Sequence, residues 1–530
     1  MLTFALALAL AAEPLPVPAD ALAVVQVREL SHVRSQLLEL TNAAAPHKAA
    51  EAAATLNQWL KPDGCDLFAL DVTRCGYLAV LPTADGVTWA AYLPTRHQDR
   101  CRAALQATGR QLHLLDRPGF VVATPHEPTA ERLTADPKPL TFDGMGEAAD
   151  VFLGSDLGLF VNLPEVQVRY GGLLVGTQFA LPGLLRSGAF GLPKLDARQS
   201  AQVAAVADGL IQAVVDGRGF AVGVNLGPSG VTVEAAFGIR PNTVAAKVLA
   251  GEQPSALPLL DAMPGGQSAY AAGRFGVELA KRLRTAFSEA TPADDPLATH
   301  AEHGWATAGL SPGPTLEVCR PASPANWLRA VRKQHDHAAT VQNLPLDGRT
   351  TRLYQAVVHD GRVFDQLGLT FDIRGATAGI ADEGIRQAAH TTIKGLVGER
   401  VQQWLGVDGP QGLRVTAADW PTARALVDTL HTGETAKDDV AVQTIRRRLP
   451  AEASAVVLLD AARLTCRVGG LARGAVDELP AFPGLELPEF VSLRCRSPFL
   501  GLALVTRPTG GRATLVLPAD ALKASLETVR

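Results

Sequence analysis

The chain has 530 residues, of which 47% are hydrophobic, 19% charged and 5% aromatic, and its formal net charge at pH 7 is −4. This composition excludes a disordered chain, which pairs low hydrophobicity with high net charge, and also a collagen-like or coiled-coil rod. A charge so near zero offers no electrostatic footprint for nucleic acid, and the longest basic run, Arg446-Arg447-Arg448, reads as a solvated helix face.

The N-terminus carries an apolar run from Leu2 to Ala12, followed by Glu13 and Pro14. The run is too short to span a hydrocarbon core of about 30 Å, but it matches the apolar segment of a secretory leader. Small residues at Ala9 and Ala11 suit cleavage after Ala11 or Ala12, although no Lys or Arg follows Met1. Residues 1–12 therefore read as a signal peptide, with a buried first strand as the alternative. The expected location is periplasmic or extracellular. No Cys follows the run to carry a lipid anchor.

Beyond the leader, the length predicts roughly three to four folding units at about 100–200 residues each. Internal similarity refines this expectation. VPADALAVVQVREL, from Val17, is answered by LPAEASAVVLLDAARL, from Leu449, with weaker echoes from Glu147 and Met263. A second element recurs as two apolar strands, a Gly- or Pro-containing turn, then Pro near the start of an amphipathic helix. It begins at Tyr77, Phe220, Trp305 and Phe499, and its prolines are Pro94, Pro241, Pro321 and Pro518. The pattern predicts four modules at 13–146, 147–262, 263–448 and 449–530. Tightly connected strands are antiparallel, so the fold class is α+β: repeated antiparallel sheets with helices packed on one face, joined by hairpin-Pro-helix units.

Several segments are legible within this frame. Residues 171–193 are apolar except for Arg186, and their Gly and Pro content argues against a continuous or membrane-spanning helix. They read as a buried irregular connection, or as an apolar lid over a ligand formed by Leu173, Leu174, Phe179, Leu184 and Phe190. Val203, Val206, Leu210 and Val214 form a helical stripe suited to capping a sheet, with Gly217 closing the helix. The third module is enlarged by a hairpin from Arg352 that turns at Asp360-Gly361, and by a helix from Ile380 to Arg400.

The cysteines are Cys65, Cys75, Cys101, Cys319, Cys466 and Cys495. Exported thiols tend to pair, and the clustering suggests one bridge among Cys65, Cys75 and Cys101 and another between Cys466 and Cys495. Buried free thiols are the alternative. No C-x-x-C spacing supports a zinc ribbon or a thioredoxin-type site.

A search for chemistry finds no phosphate-binding loop, no nucleophile elbow and no serine-lysine motif. His300 and His303, with His335 and His337, are weak metal candidates beside Glu302 and Asp336. His335 and His337 fall at i and i+2 of a predicted helix and so point to different faces. The acid pairs Asp294-Asp295 and Asp438-Asp439 read as helix-start or loop residues. No metal or cofactor is expected.

The Pro-Ala-Asp-Ala opening at Pro18 to Ala21, its return near Leu449 and the alternating strand and helix blocks resemble large secreted bacterial proteins grouped only as domains of unknown function. The resemblance implies duplicated α+β modules and carries no activity or site residue. The resulting expectation is an exported, non-enzymatic binding or scaffolding body whose partner is a protein or a hydrophobic ligand of the cell envelope. The alternatives are a periplasmic carrier of a hydrophobic ligand and a hydrolase with a site between modules.

Overall fold

A computed structural model describes residues 15–59, 69–135, 137–187, 197–276, 278–280, 282, 304–309, 313–337, 348–477 and 498–528. The leader at 1–12 lies outside them. The chain forms two compact units, Met1–Ala250 with Pro508–Thr514, and Gly251–Arg507 with Leu515–Arg530.

In the first unit the strands are β1 (Leu15–Pro18), β2 (Ala23–Val27), β3 (Gly76–Pro82), β4 (Val87–Pro94), β5 (His113–Arg117), β6 (Phe120–Thr124), β7 (Pro139–Leu140), β8 (Leu157–Val161), β9 (Gly217–Gly227) and β10 (Gly230–Ile239). The short β1 pairs with β7. The others form one antiparallel sheet in the order β5-β6-β4-β3-β2-β8-β9-β10. Its helices are α1 (Leu30–Ala44), α2 (Ala49–Trp59), α3 (Gln98–Ala107), α4 (Glu127–Thr134), α5 (Glu147–Gly154), α6 (Leu163–Ser187), α7 (Ala197–Asp216) and α8 (Val244–Leu249).

The second unit begins with α9 (Pro258–Asp261) and β11 (Ala269–Gly273), followed by β12 (Trp305–Gly309), β13 (Thr315–Cys319) and α10 (Pro324–His337). Next come β14 (Gly348–His359), β15 (Arg362–Phe371), α11 (Ile373–Thr377), α12 (Glu383–Val397), β16 (Arg400–Asp408) and β17 (Gln411–Ala417). The chain continues through α13 (Trp420–Thr432), α14 (Val440–Arg446), β18 (Ala455–Asp460), α15 (Ala461–Asp477), β19 (Phe499–Arg507), β20 (Gly510–Pro518), whose residues up to Thr514 belong to the first unit, and α16 (Ala519–Glu527). The strand order here is β14-β15-β16-β17-β13-β12-β11-β18-β19, again antiparallel throughout. The protein is thus α+β.

Each hairpin-then-helix segment read from the sequence forms: β3–β4 then α3, β9–β10 then α8, β12–β13 then α10, and β19–β20 then α16. The two units also share connectivity. β2 lies between β3 and β8 as β11 lies between β12 and β18, and β4 neighbours β6 as β13 neighbours β17. The second unit adds the β14–β15 hairpin, which turns at Asp360-Gly361 with both residues at positive φ.

Two helical expectations are corrected. Residues 163–187 form one continuous helix, α6, which runs through Gly171, Gly172, Gly176 and Pro182. It packs along α7, and tertiary packing overrides the poor local propensity. The Val203, Val206, Leu210 stripe of α7 does not cap a sheet: these side chains are 44%, 38% and 65% exposed. Among the described side chains of this helix Ser200, Ala204 and Asp216 are buried, and Val214, the last of the stripe, is half-buried.

The first core gathers Val24, Leu81, Tyr92, Val122, Phe152 and Phe160, and the second Tyr270, Leu316, Phe364, Trp404, Leu413 and Phe499. Helix α5 comes very close to its sheet. A Cβ on Gly158 would stand 3.0 Å from the Phe152 ring, and one on the paired Gly223 would overlap the Ser155 hydroxyl. Phe160, fully buried, meets Phe142 edge-on at 5.0 Å and Phe152 at 5.8 Å. Phe160→Ala should therefore cost about 3–5 kcal/mol of stability through lost burial and an unfilled cavity. Urea unfolding measures this; a loss below about 1 kcal/mol would mean that the ring is not central to the core.

Candidate functional site

The metal candidates do not form a site among the described residues. His300 and His303 lie outside them, and His335 and His337 end α10 with side chains that are likewise outside. One His-acid group does form elsewhere, at the tip of the β14–β15 hairpin. The buried His359 Nε2 lies 2.5 Å from Asp428 Oδ1 and 3.5 Å from Asp360 Oδ2, and its ring meets Trp420 edge-on at 6.0 Å. Asp428 also receives Arg424 at 3.3 Å, so its charge already has a cationic partner besides the hydrogen bond to His359. The hydrogen bond from His359, more than Arg424, holds the Asp428 carboxyl below the usual carboxylate range. The arrangement works as a clasp between hairpin and helix.

The thiols are placed as follows. Cys65 and Cys495 lie outside the described residues, Cys101 is buried in α3 and Cys466 half-buried in α15. Cys75 carries a free thiol that burial raises above its ordinary value. Cys319 is also free, donates to the Gly412 carbonyl at 3.4 Å, and is pushed by burial up to about 12. Asp439 caps α14, accepting from the Ala441 and Val442 backbone N–H groups, as a helix-start acid should. Because only the thiolate is reactive, Cys319 should resist iodoacetamide in the folded protein and react after denaturation. Peptide mapping of the alkylated chain checks this, and labelling of Cys319 at native pH would contradict it.

Of the lid residues, Leu173 and Phe179 stand 69% and 81% exposed on α6, Leu174 and Leu184 are half-buried, and Phe190 lies outside the described residues. No helix among the described residues is long and apolar enough to cross a membrane.

An apolar cavity lies elsewhere in the first unit. It has a volume of about 250 Å³ and is walled by Val25 and Val27 of β2, Leu78 of β3, Leu93 of β4, Leu30 of α1, and Leu70 and Val72 of the 69–75 segment. None of the lid residues lines it. Its floor follows from strand register: Val25, Leu78 and Ala91 sit side by side across β2, β3 and β4, and Leu159 of β8 continues the row beyond the cavity. Alternation places Val24, Ala79 and Ala90 on the opposite, buried face. On the cavity side, Val25 and Leu78 remain 37% and 39% exposed.

The wall opposite the sheet is the 69–75 segment, and Asp71 fastens it. The buried Asp71 carboxylate accepts from the Thr73 hydroxyl at 2.7 Å, from the Thr73 backbone at 3.3 Å and from Arg96 Nε at 2.8 Å. Its backbone N–H donates to the Pro94 carbonyl, the Thr95 hydroxyl donates to Ala69 O, and Ser31 donates to Val72 O through both backbone and hydroxyl. The segment is thereby tied to the end of β4 and the start of α1. Sequence reasoning missed this site. The available signal lay in AVVQV and YLAVLP, strands apolar at consecutive positions, which require cover on both faces.

No family model, no curated protein and no solved structure matches the chain.

Hydrogen bonds from Thr73, then from Arg96, hold the Asp71 carboxyl below its ordinary range against the opposing effect of burial. A depressed acid stabilises the fold above its unfolded value, about 3.9, and that stabilisation is lost as the pH falls through the folded value. The stability gap between wild type and Asp71→Asn should accordingly be open near neutral pH and close as the medium is acidified below about pH 4. Urea unfolding across pH measures the gap; one that persists unchanged in acid would show that the carboxylate is not the fastening group.

Proposed function

We propose that the chain is an exported binding protein of the cell envelope whose first unit holds the apolar part of a ligand in the cavity over β2, β3 and β4. One observation carries this reading: a cavity of about 250 Å³ whose floor is an in-register row of apolar side chains left partly exposed, facing a wall held by a dedicated hydrogen-bonded carboxylate. Ligand sites are concave, largely apolar and usually preformed, and the cavity approaches the lower end of their range of about 300–1,000 Å³. Half-covered apolar side chains at a recess have a use when a ligand completes their burial. Of the functions open from the sequence, carriage of a hydrophobic ligand thus gains specific support, with the 69–75 segment in the place assigned to a lid.

The uncharged dye N-phenyl-1-naphthylamine tests the proposal. Wild-type protein should enhance its fluorescence saturably, Leu78→Glu should abolish the enhancement by placing a charge on the cavity floor, and Leu173→Glu on α6 should leave it intact. Far-ultraviolet circular dichroism shows whether each variant keeps the fold. Failure of the wild type to bind, or undiminished binding by folded Leu78→Glu, would overturn the assignment.

A further inference from the structure

The apolar cavity adjoins a second recess of opposite chemistry. Arg74 lines both: on one side the apolar walls, on the other a polar cleft bordered by Arg96, His97, Asp99 and Arg100 at the start of α3. The cations in this cleft are not equivalent. Arg96 is committed to Asp71 at 2.8 Å. Arg74 and Arg100 have no carboxylate partner among the described residues, and Asp99 is the one acid bordering the cleft.

Arg74 is placed by packing and not by an acid. Its guanidinium lies over the Phe120 ring, 5.2 Å from the centroid. The space beside it belongs to Gly119, at φ +76°, where any Cβ would collide with the guanidinium. A cation seated on an aromatic ring and a glycine keeps its N–H donors free for an outside acceptor. The guanidinium fork matches carboxylate and phosphate oxygens, and Arg100 supplies a second cation in the same cleft.

Resting on the apolar-ligand reading above, we propose that the first unit binds a single-chain amphiphile with an anionic head group. The tail occupies the cavity lined by Val25, Leu78 and Leu93, and the head, a carboxylate or phosphate, meets Arg74 and Arg100. Arg74 marks the boundary between the two. Asp71 is the positioning residue for both parts, since the same carboxylate fastens the wall of the cavity and engages Arg96 at the cleft.

Displacement of N-phenyl-1-naphthylamine from the full-length protein by decanol, decanoate, decyl phosphate and inorganic phosphate separates the contributions. Decanoate and decyl phosphate should displace the dye at concentrations about tenfold below decanol, a gap equivalent to one charge-assisted contact. Inorganic phosphate should not displace it. Arg74→Ala combined with Arg100→Ala should close the gap while leaving decanol unchanged, and added salt should narrow it in the wild type. Arg110→Ala, which removes a charge outside the cleft, should leave the gap open.

Equal displacement by decanol and decanoate in the wild type would overturn the head-group assignment, as would a gap that survives in the double variant. If the dye fails to bind wild-type protein at all, the apolar-cavity reading itself falls. Dye binding without a head-group preference would retire only the present inference.

Discussion

Strands that are apolar at consecutive positions present two faces to be covered, and in the first unit the two are covered unequally. On one face the cover is tight: the paired glycines Gly158 and Gly223 let α5 approach until Phe152 and Ser155 nearly touch the strand backbone. On the other face, the row formed by Val25, Leu78 and Ala91 meets a wall of irregular chain across a gap. An irregular segment cannot bury its own backbone polar groups by a regular ladder, so it needs side-chain partners. Asp71 provides them for 69–75, and the recess exists because that segment is held at a distance from the sheet and not collapsed onto it.

The same carboxylate links the two chemistries of the site. Burying an acid is unfavourable unless hydrogen bonds and a cation compensate it. Thr73 and Arg96 compensate Asp71, which uses Arg96 internally and leaves Arg74 and Arg100 as the unengaged cations of the cleft. Contrast this with the His359 clasp in the second unit, where Asp428 takes both His359 and Arg424. There the charges are closed on themselves and hold two elements together. In the cleft, two guanidinium groups remain available to solvent or to a ligand.

Periodicity and turn chemistry were enough to read the antiparallel α+β class, the four hairpin-then-helix segments and the added hairpin at Asp360-Gly361, because each depends on residues within about thirty positions of one another. The helix at Ala197–Asp216 is legible in the same way, whereas the continuity of α6 is not, for the opposite reason. Gly171, Gly172, Gly176 and Pro182 carry a local signal against helix, and the partner that overrides it comes from Ala197–Asp216. In that pairing Arg186 of α6 donates to the buried Ser200 hydroxyl of α7 at 3.2 Å, while Leu173, Phe179 and Leu210 stand exposed. The cavity was invisible for a third reason: its walls come from α1, three strands and an irregular segment, and no single window contains them.

The division into units adds a constraint on how the first of them is completed. Its chain leaves at Ala250 and contributes again only at Pro508–Thr514. There Arg512 Nη2 and Nε donate to Glu234 at 2.6 and 3.1 Å, Thr514 donates to the same carboxylate oxygen at 3.3 Å, and Ile239 N–H bonds Thr509 O at 2.9 Å. Partners separated by 278 residues close a large loop, and the entropic cost of such closure grows only logarithmically with length, so the late strand adds stability despite the separation. Its effect is on timing. Contacts of such sequence separation are slow to form, and β10 exposes an unpaired edge until they do. Thr232 and Glu234 make that edge polar and charged during the interval, which limits misassociation, and Glu234 converts the same charge into the closing contact once Arg512 arrives with residues 508–514.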